Sequence, residues 1–279
     1  MFLKATFRFL IVPILLMQIN AYGSCLNGKE SPIQTISSFE EAISQIPSDA
    51  LILFDIDDTL ISSNDFLARG NYFPWWFRVR LLMACPSLCN SRTWEDAYSL
   101  MWSQAPRILL EPNIILKIKE LQAKGHTILG LTSMETGAYG VIPNFPDWRF
   151  KMLEKMGITF SQDFSNMTFR QLSAYRYNYP QLYQGILCAN QQPKGEVLAA
   201  FFDSFNLTPR SVVFFDDNID ALQSVGQVCK NRNIHSLLFH YTGAKQLPGS
   251  WNTERAIKQI KLLVEKRGWV SDEYFPSPS

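Results

Sequence analysis

The sequence predicts an α/β fold in which a parallel sheet carries helices on both faces. Three observations support this. Short, nearly unbroken apolar runs recur at residues 50–54 (ALILF), 126–131 (HTILGL), 211–215 (SVVFF) and 234–239, as expected of strands buried on both sides. Segments with one apolar helical face alternate with them. The first three runs each stop at polar residues: Asp55-Ile56-Asp57-Asp58-Thr59, Thr132-Ser133 and Asp216-Asp217-Asn218.

The elements follow in order. Ser38 fits an N-cap and Glu41 the reciprocal position of a capping box, so a short helix starts there and ends near Pro47. Strand 50–54 comes next. Pro112 opens a helix with Ile114, Ile115, Ile118 and Leu121 on one face and Gly125 as its stop. Strand 126–131 follows, then a helix over 195–205 introduced by Pro193-Lys194. Strand 211–215 leads into a helix over 219–230 and strand 234–239. The last helix, 253–266, has Ile257, Ile260, Leu263 and Val264 on one side. Ligands of such sheets bind at the carboxyl ends of the strands. Asp55, Asp57, Thr132, Asp216 and Asp217 are therefore expected to converge on one spot.

Two segments break the alternation. Residues 61–110 and 134–192 are long insertions rich in aromatics, Trp75, Trp76, Trp94, Trp102, Trp148 and Tyr183 among them. Loops of that length without structure of their own are rare, so both are read as a cap over the strand ends. Its aromatics are read first as packing. Arg69, Arg78, Arg80, Arg107 and Arg149 are the insertions' candidate contacts to an anionic group, with a solvated surface role as the default for each.

Composition narrows the function classes. Of 279 residues, 47% are hydrophobic and 13% aromatic, too many for disorder. A net charge of +1 leaves no basic excess for nucleic acid, which is not expected as a partner. Five Cys are too few for a disulfide scaffold, although Cys85 and Cys89 (CPSLC) are spaced to close a small loop. His126, His235 and His240 lie in or beside apolar runs and read as core residues rather than metal ligands. Residues 1–23 show a basic start (Lys4, Arg8), a short apolar run over 9–17 and small residues in Ala21-Tyr22-Gly23. This is the layout of a secretory signal peptide, leaving a 24–279 chain that is periplasmic or secreted. The run is shorter than the about 20 residues of a membrane span, and no later stretch spans. A lipid anchor at Cys25 is the alternative tether, though Tyr22 replaces the usual aliphatic residue before it.

The strand-end acids carry the chemistry. Clustered carboxylates repel unless a cation neutralises them, and an all-oxygen set suits a hard cation such as Mg²⁺. Asp55 and Asp57 fall on one side of an extended segment. One can act as nucleophile while the other transfers protons. A carboxylate nucleophile is suited to accepting a phosphoryl group. Thr132 can donate to a phosphoryl oxygen, and Lys194 can neutralise developing charge.

This set, Asp55-Ile56-Asp57-Asp58-Thr59, Thr132, Lys194 and Asp216-Asp217, resembles the four motifs of the haloacid dehalogenase (HAD)-like superfamily. The context of residues 54–63 is also similar to secreted class B acid phosphatases. Lys194-Gly195-Glu196-Val197-Leu198 with Phe214-Phe215-Asp216-Asp217-Asn218 resembles an uncharacterised family of secreted HAD-like proteins of intracellular bacterial pathogens.

The resemblance covers residues 48–60, 111–133 and 190–242, and implies a Rossmann-like HAD core with inserted cap segments. It implies Asp55 as nucleophile and Mg²⁺ ligand. Asp57 becomes the general acid/base, with its carbonyl on the metal, and Asp216 a further ligand. Asp217 orients Lys194 or a metal-bound water, while Thr132 and Lys194 hold phosphoryl oxygens. An acid at position 57 favours a phosphohydrolase over a dehalogenase. The expected function is a secreted Mg²⁺-dependent phosphatase acting on a small phosphomonoester through an aspartyl-phosphate. A phosphotransferase sharing that intermediate, or a non-catalytic secreted binding protein, are its rivals. Asp57→Asn is expected to slow catalysis with the fold intact.

Overall fold

The computed structural model describes residues 32–69 and 75–275. The signal segment, Cys25 and the polar tail lie outside these described residues. In chain order the elements are β1 (Ile33–Ile36), α1 (Glu40–Ile43), β2 (Leu51–Phe54), β3 (Ile61–Ser62), α2 (Trp75–Ala84), α3 (Ser91–Gln104), β4 (Ile108–Leu109), α4 (Ile114–Ala123) and β5 (Thr127–Thr132). Then come α5 (Phe145–Lys155), β6 (Met167–Thr168), β7 (Gln181–Tyr183), β8 (Ile186–Cys188), α6 (Lys194–Phe205), β9 (Ser211–Asp216), α7 (Ile219–Asn231), β10 (His235–Tyr241) and α8 (Thr253–Lys266).

Eight strands form one sheet in the order β1-β10-β9-β2-β5-β8-β7-β6. The first six run parallel, and β7 and β6 turn back antiparallel at one edge. β2 is central, with Phe54 paired to Gly130 on one side and Phe215 on the other. Alternate residues of each strand face opposite layers. Ile52, Phe54, Val213 and Phe215 pack under α4 and α5 (Ile114, Ile118, Phe145, Leu153). Leu51, Leu53, Val212 and Phe214 pack under α6 and α7 (Val197, Phe201, Leu222, Val225). Each such side chain, fully buried, is worth about 1.5–3 kcal/mol. The predicted parallel α/β sheet flanked by helices is therefore present.

Differences from the sequence reading have local causes. The Glu41 carboxylate does accept from the backbone N–H of Ser38 at 3.0 Å, but Phe39 rather than Ser38 is the N-cap, with no side-chain cap bond, and the helix runs only over Glu40–Ile43. β1 carries no continuous apolar run, being short and polar at Gln34-Thr35. Residues 167–188, within the second insertion, extend the sheet as β6–β8. Their hairpin turns at Gln184 (φ 48°) and Gly185 (φ 76°), the paired left-handed residues of a two-residue turn.

The first insertion leaves and returns through a neck in which β3 pairs antiparallel with β4. Its α2 and α3 do not touch solvent on all sides. Phe77, Leu81, Leu100 and Met101 form a separate core with Ala256, Ile260 and Leu263 of α8. The C-terminal segment is latched to the same body, because Asp65 accepts from Trp269 Nε1 (2.6 Å), Ser271 Oγ (3.0 Å) and the Asp272 N–H (2.9 Å).

His126 and His240 are buried as read, whereas His235 is exposed. Cys85 and Cys89 are free thiols rather than a closed loop, as are the buried Cys188 and Cys229. Among the described residues no helix is long and apolar enough to cross a membrane.

Candidate active site

Three strand ends and one helix start build the site. β2 stops at Asp55, whose N–H is still tied to Phe215 O at 2.9 Å. The chain then turns sharply. Leu60 and Ile61 both donate to Ile56 O (2.9 and 3.0 Å), and Asp58 takes a left-handed φ of 59°, which Asp tolerates. This turn puts Asp55, Asp57 and Asp58 around one cavity of about 310 Å³, together with Thr132 from β5, Lys194 from α6, Asp216 at the end of β9 and Asp217 just after it. All the expected site residues line it. Lys194 is held there by a close helix contact. Gly195 lies so near α7 that a Cβ would meet Ser224 O at 2.2 Å, and its N–H donates to Ser224 Oγ at 3.0 Å.

Lys194 is buried and bridges two carboxylates. Its ammonium donates to Asp55 Oδ1 and, at 2.7 Å, to Asp216 Oδ2. Burial works against its charge, but Asp216 and Asp55 outweigh burial and hold its pKa above the ordinary lysine value. The other oxygen of Asp216 accepts from the Asn218 N–H at 2.8 Å. A contact from Lys194 to Asp217 is not among these bonds.

The acids outnumber the lysine. Carboxylate oxygens of Asp55, Asp216 and Asp217 lie within 4.8 Å of one another. Burial raises the Asp55 carboxyl well above the carboxylate range; Lys194 opposes this, and Asp216 and Asp217 add to it. Burial, then the charge of Asp216, pushes Asp217 up to about 7. Such a surplus of buried negative charge, presented by oxygens alone, fits a hard divalent cation. Thr132 Oγ1 accepts from the Met134 N–H at 3.3 Å, which leaves its hydroxyl hydrogen free to donate.

Of the five insertion arginines with a solvated surface role as the default, Arg149 departs from it furthest. It is fully buried on α5, and its guanidinium takes both oxygens of Asp57, at 3.0 and 2.8 Å. Trp102 and Trp148 flank it at 5.1 and 5.3 Å. A signal for this existed: Phe145, Arg149 and Leu153 repeat at helical spacing, so the arginine sits on an apolar stripe where a charge needs a partner. Arg69 is also buried, donating to Ser63 O at 3.1 Å, whereas Arg78 and Arg80 are exposed as expected. Asp57→Asn would thus disturb more than chemistry, because Asp57 answers a buried cation.

Trp102 from α3 lines the cavity beside these acids, and the second insertion closes on α3. Gly140 stands where a Cβ would meet Glu95 O at 2.3 Å, and the Val141 N–H donates to Ser99 Oγ at 2.9 Å. Arg176 pairs with Glu95 at 2.7 Å. The two insertions therefore meet beside the strand ends.

Comparison with known proteins gives the following. A family model described as "Protein of unknown function (DUF2608)" matches residues 32–274. An uncharacterized protein of Rickettsia prowazekii is 21% identical over 236 residues, 85% of each chain. A putative outer membrane protein of Chlamydia pneumoniae is 24% identical over 243 residues, 81% of this chain and 82% of that one. A solved HAD family enzyme from Bacteroides thetaiotaomicron aligns with a TM-score of 0.34 and 11% identity, covering 69% of this chain and 94% of that one.

Proposed function

The chain belongs to the DUF2608 family of proteins of unknown function, and we propose that this member is a phosphomonoester hydrolase of the HAD-like type. One observation carries the reading: Lys194 bridges Asp55 and Asp216, with the Asp217 carboxylate beside them and Asp57 on the same turn. Asp55 attacks phosphorus, and the bond from phosphorus to the leaving oxygen breaks. Asp57 supplies the proton that the leaving oxygen needs. Water then attacks the aspartyl-phosphate, Asp57 takes its proton, and Asp55 and inorganic phosphate are released. Thr132 donates to a phosphoryl oxygen, and Lys194 balances the charge passing through Asp55.

Asp55 and Asp216 would hold Mg²⁺, with the Asp57 carbonyl and Asp217 supporting it; bound there, the cation would offset phosphoryl charge. Both Asp57 oxygens are engaged by Arg149, which suits the base form used in the second step. Asp57 must loosen at least one of those bonds to carry the proton of the first. The exported location belongs to the same proposal. It is supported by the signal-like segment 1–23 and by the naming of the chlamydial relatives as putative outer membrane proteins.

The deciding experiment is Mg²⁺-dependent hydrolysis of p-nitrophenyl phosphate. Wild-type turnover that disappears in Asp55→Asn supports the reading, and turnover surviving that change overturns it.

A further inference from the structure

Arg107 stands where the first insertion returns to the sheet, between α3 and β4. Its Nη1 donates to Ala68 O at 2.9 Å. Its Nε and Nη2 are buried and have no acceptor among the described residues. A guanidinium keeps its charge, and buried donors are nearly always paired. The two orphaned atoms are not an arbitrary pair. Nε and Nη2 form one edge of the guanidinium, the fork that matches two oxygens of one carboxylate or phosphate.

The surroundings point the same way. Arg107 lies 5.4 Å from the centroid of Trp102, the ring that also carries Arg149. Trp102 lines both the catalytic cavity and a second cavity of about 680 Å³. Arg107, Trp148, Ile142 and Met152 wall that second space. Its acid, Asp147, is already engaged by Lys151 (2.7 Å) and the Tyr183 hydroxyl (2.9 Å). Arg107 thus keeps one edge without a hydrogen-bond acceptor, with Asp57, Asp58 and Asp65 as the acids that act on its charge. It stands on the wall of a mainly apolar recess that Lys151 and Lys155 also line, and that recess shares Trp102 with the cavity of Asp57, the residue assigned to protonate the leaving group.

We propose that this recess receives the leaving group of the substrate and that Arg107 binds an oxyanion carried by it. The substrate class is then a phosphomonoester whose apolar or aromatic leaving group bears a second negative group, a carboxylate or another phosphate. The inference rests on the phosphohydrolase reading of the adjoining site.

The test is calorimetric binding to the full chain in Mg²⁺. Its probes are benzylphosphonate, 4-carboxybenzylphosphonate and p-xylylenediphosphonate, which cannot be hydrolysed. Wild type should bind at least one doubly charged probe about tenfold more tightly than benzylphosphonate, the scale of one good ion-paired contact. The two doubly charged probes tell carboxylate from phosphate. Arg107→Gln should erase the preference, and Arg107→Lys should restore part of it. Because Nε and Nη2 have no protein partner, both variants should melt within a few degrees of wild type. Equal binding of all three probes, no binding of any, or a preference that survives Arg107→Gln overturns the proposal. Turnover of p-nitrophenyl phosphate is read separately. If it is intact while the preference is missing, only this inference falls. If wild type shows none, the reading of the catalytic site falls.

Discussion

Arg149 and Asp57 face each other with two parallel bonds of 3.0 and 2.8 Å, the arginine fully buried and the Asp57 side chain 19% exposed. That asymmetry orders the two mutants. Removing the arginine leaves a carboxylate that can rehydrate at the cavity, whereas removing the carboxylate leaves a cation that cannot. Asp57→Ala is expected to cost about 3–5 kcal/mol, the range for uncovering a buried charge. Arg149→Met should cost less. Urea titrations of both variants check the order, and a smaller loss for Asp57→Ala would contradict it.

Asp55→Asn should separate activity from stability. The native carboxyl is disfavoured by burial, is relieved by Lys194 and is opposed by Asp216 and Asp217. Its neutral isostere keeps the shape and removes a charge, and Lys194 retains Asp216 at 2.7 Å. In cation-free buffer the variant is expected to melt no lower than wild type while losing turnover. Thermal melting beside the phosphatase assay reads both.

Lys194→Met should do the opposite. It leaves Asp55 and Asp216 buried with no counter-charge, which destabilises the fold at neutral pH. Added Mg²⁺ should then raise the melting temperature of this variant more than that of wild type. An equal shift in both would argue against a cation among these acids.

The pH dependence has a definite sign. Folding raises Asp217 from an ordinary aspartate value of 3.8 to about 7, chiefly through burial. In metal-free protein its contribution to stability is therefore fully present below about 4 and is lost as pH rises through 7. A bound cation competes with that proton, so Mg²⁺ should stabilise the protein more at pH 8 than at pH 6. Melting curves with and without Mg²⁺ at the two pH values decide it.

Thiol labelling probes the cysteines. Burial pushes Cys188 and Cys229 up to about 12, so little thiolate exists at pH 8. Iodoacetamide on native protein should mark the exposed Cys89 and spare these two. Peptide mapping before and after denaturation shows the difference.

Much of the core was readable because it depends on local pattern. Buried strands such as β2 and β9 are continuous apolar runs, and acids at their ends have few uses other than a site. Asp55, Asp57, Thr132, Lys194, Asp216 and Asp217 were accessible in this way, through the rule that parallel strands aim their carboxyl ends together. What escaped depends on partners far along the chain. Arg149 looks like a surface cation until Asp57 stands opposite it. β6–β8 are short and owe their place to the edge offered by β5. Arg107 differs from any loop arginine only through acceptors it does not have. The partnership of α8 with α2 and α3 is likewise invisible in its own periodicity, which shows an apolar face but not what covers it.

That partnership bears on how the molecule is made. The body that supplies Trp102 draws its core from residues 67–105 and again from 256–263, and Asp65 waits for Trp269, Ser271 and Asp272. Chains emerge from the ribosome amino end first. The sheet and its acids can assemble once β10 is out, but the structure beside them lacks its counterpart until residues 256–272 have followed. A growing or prematurely stopped chain would hold the charged cluster without its wall. A truncation after Tyr241 thus keeps the acids with Lys194 and Arg149 but removes the α8 counterpart of the body that carries Trp102.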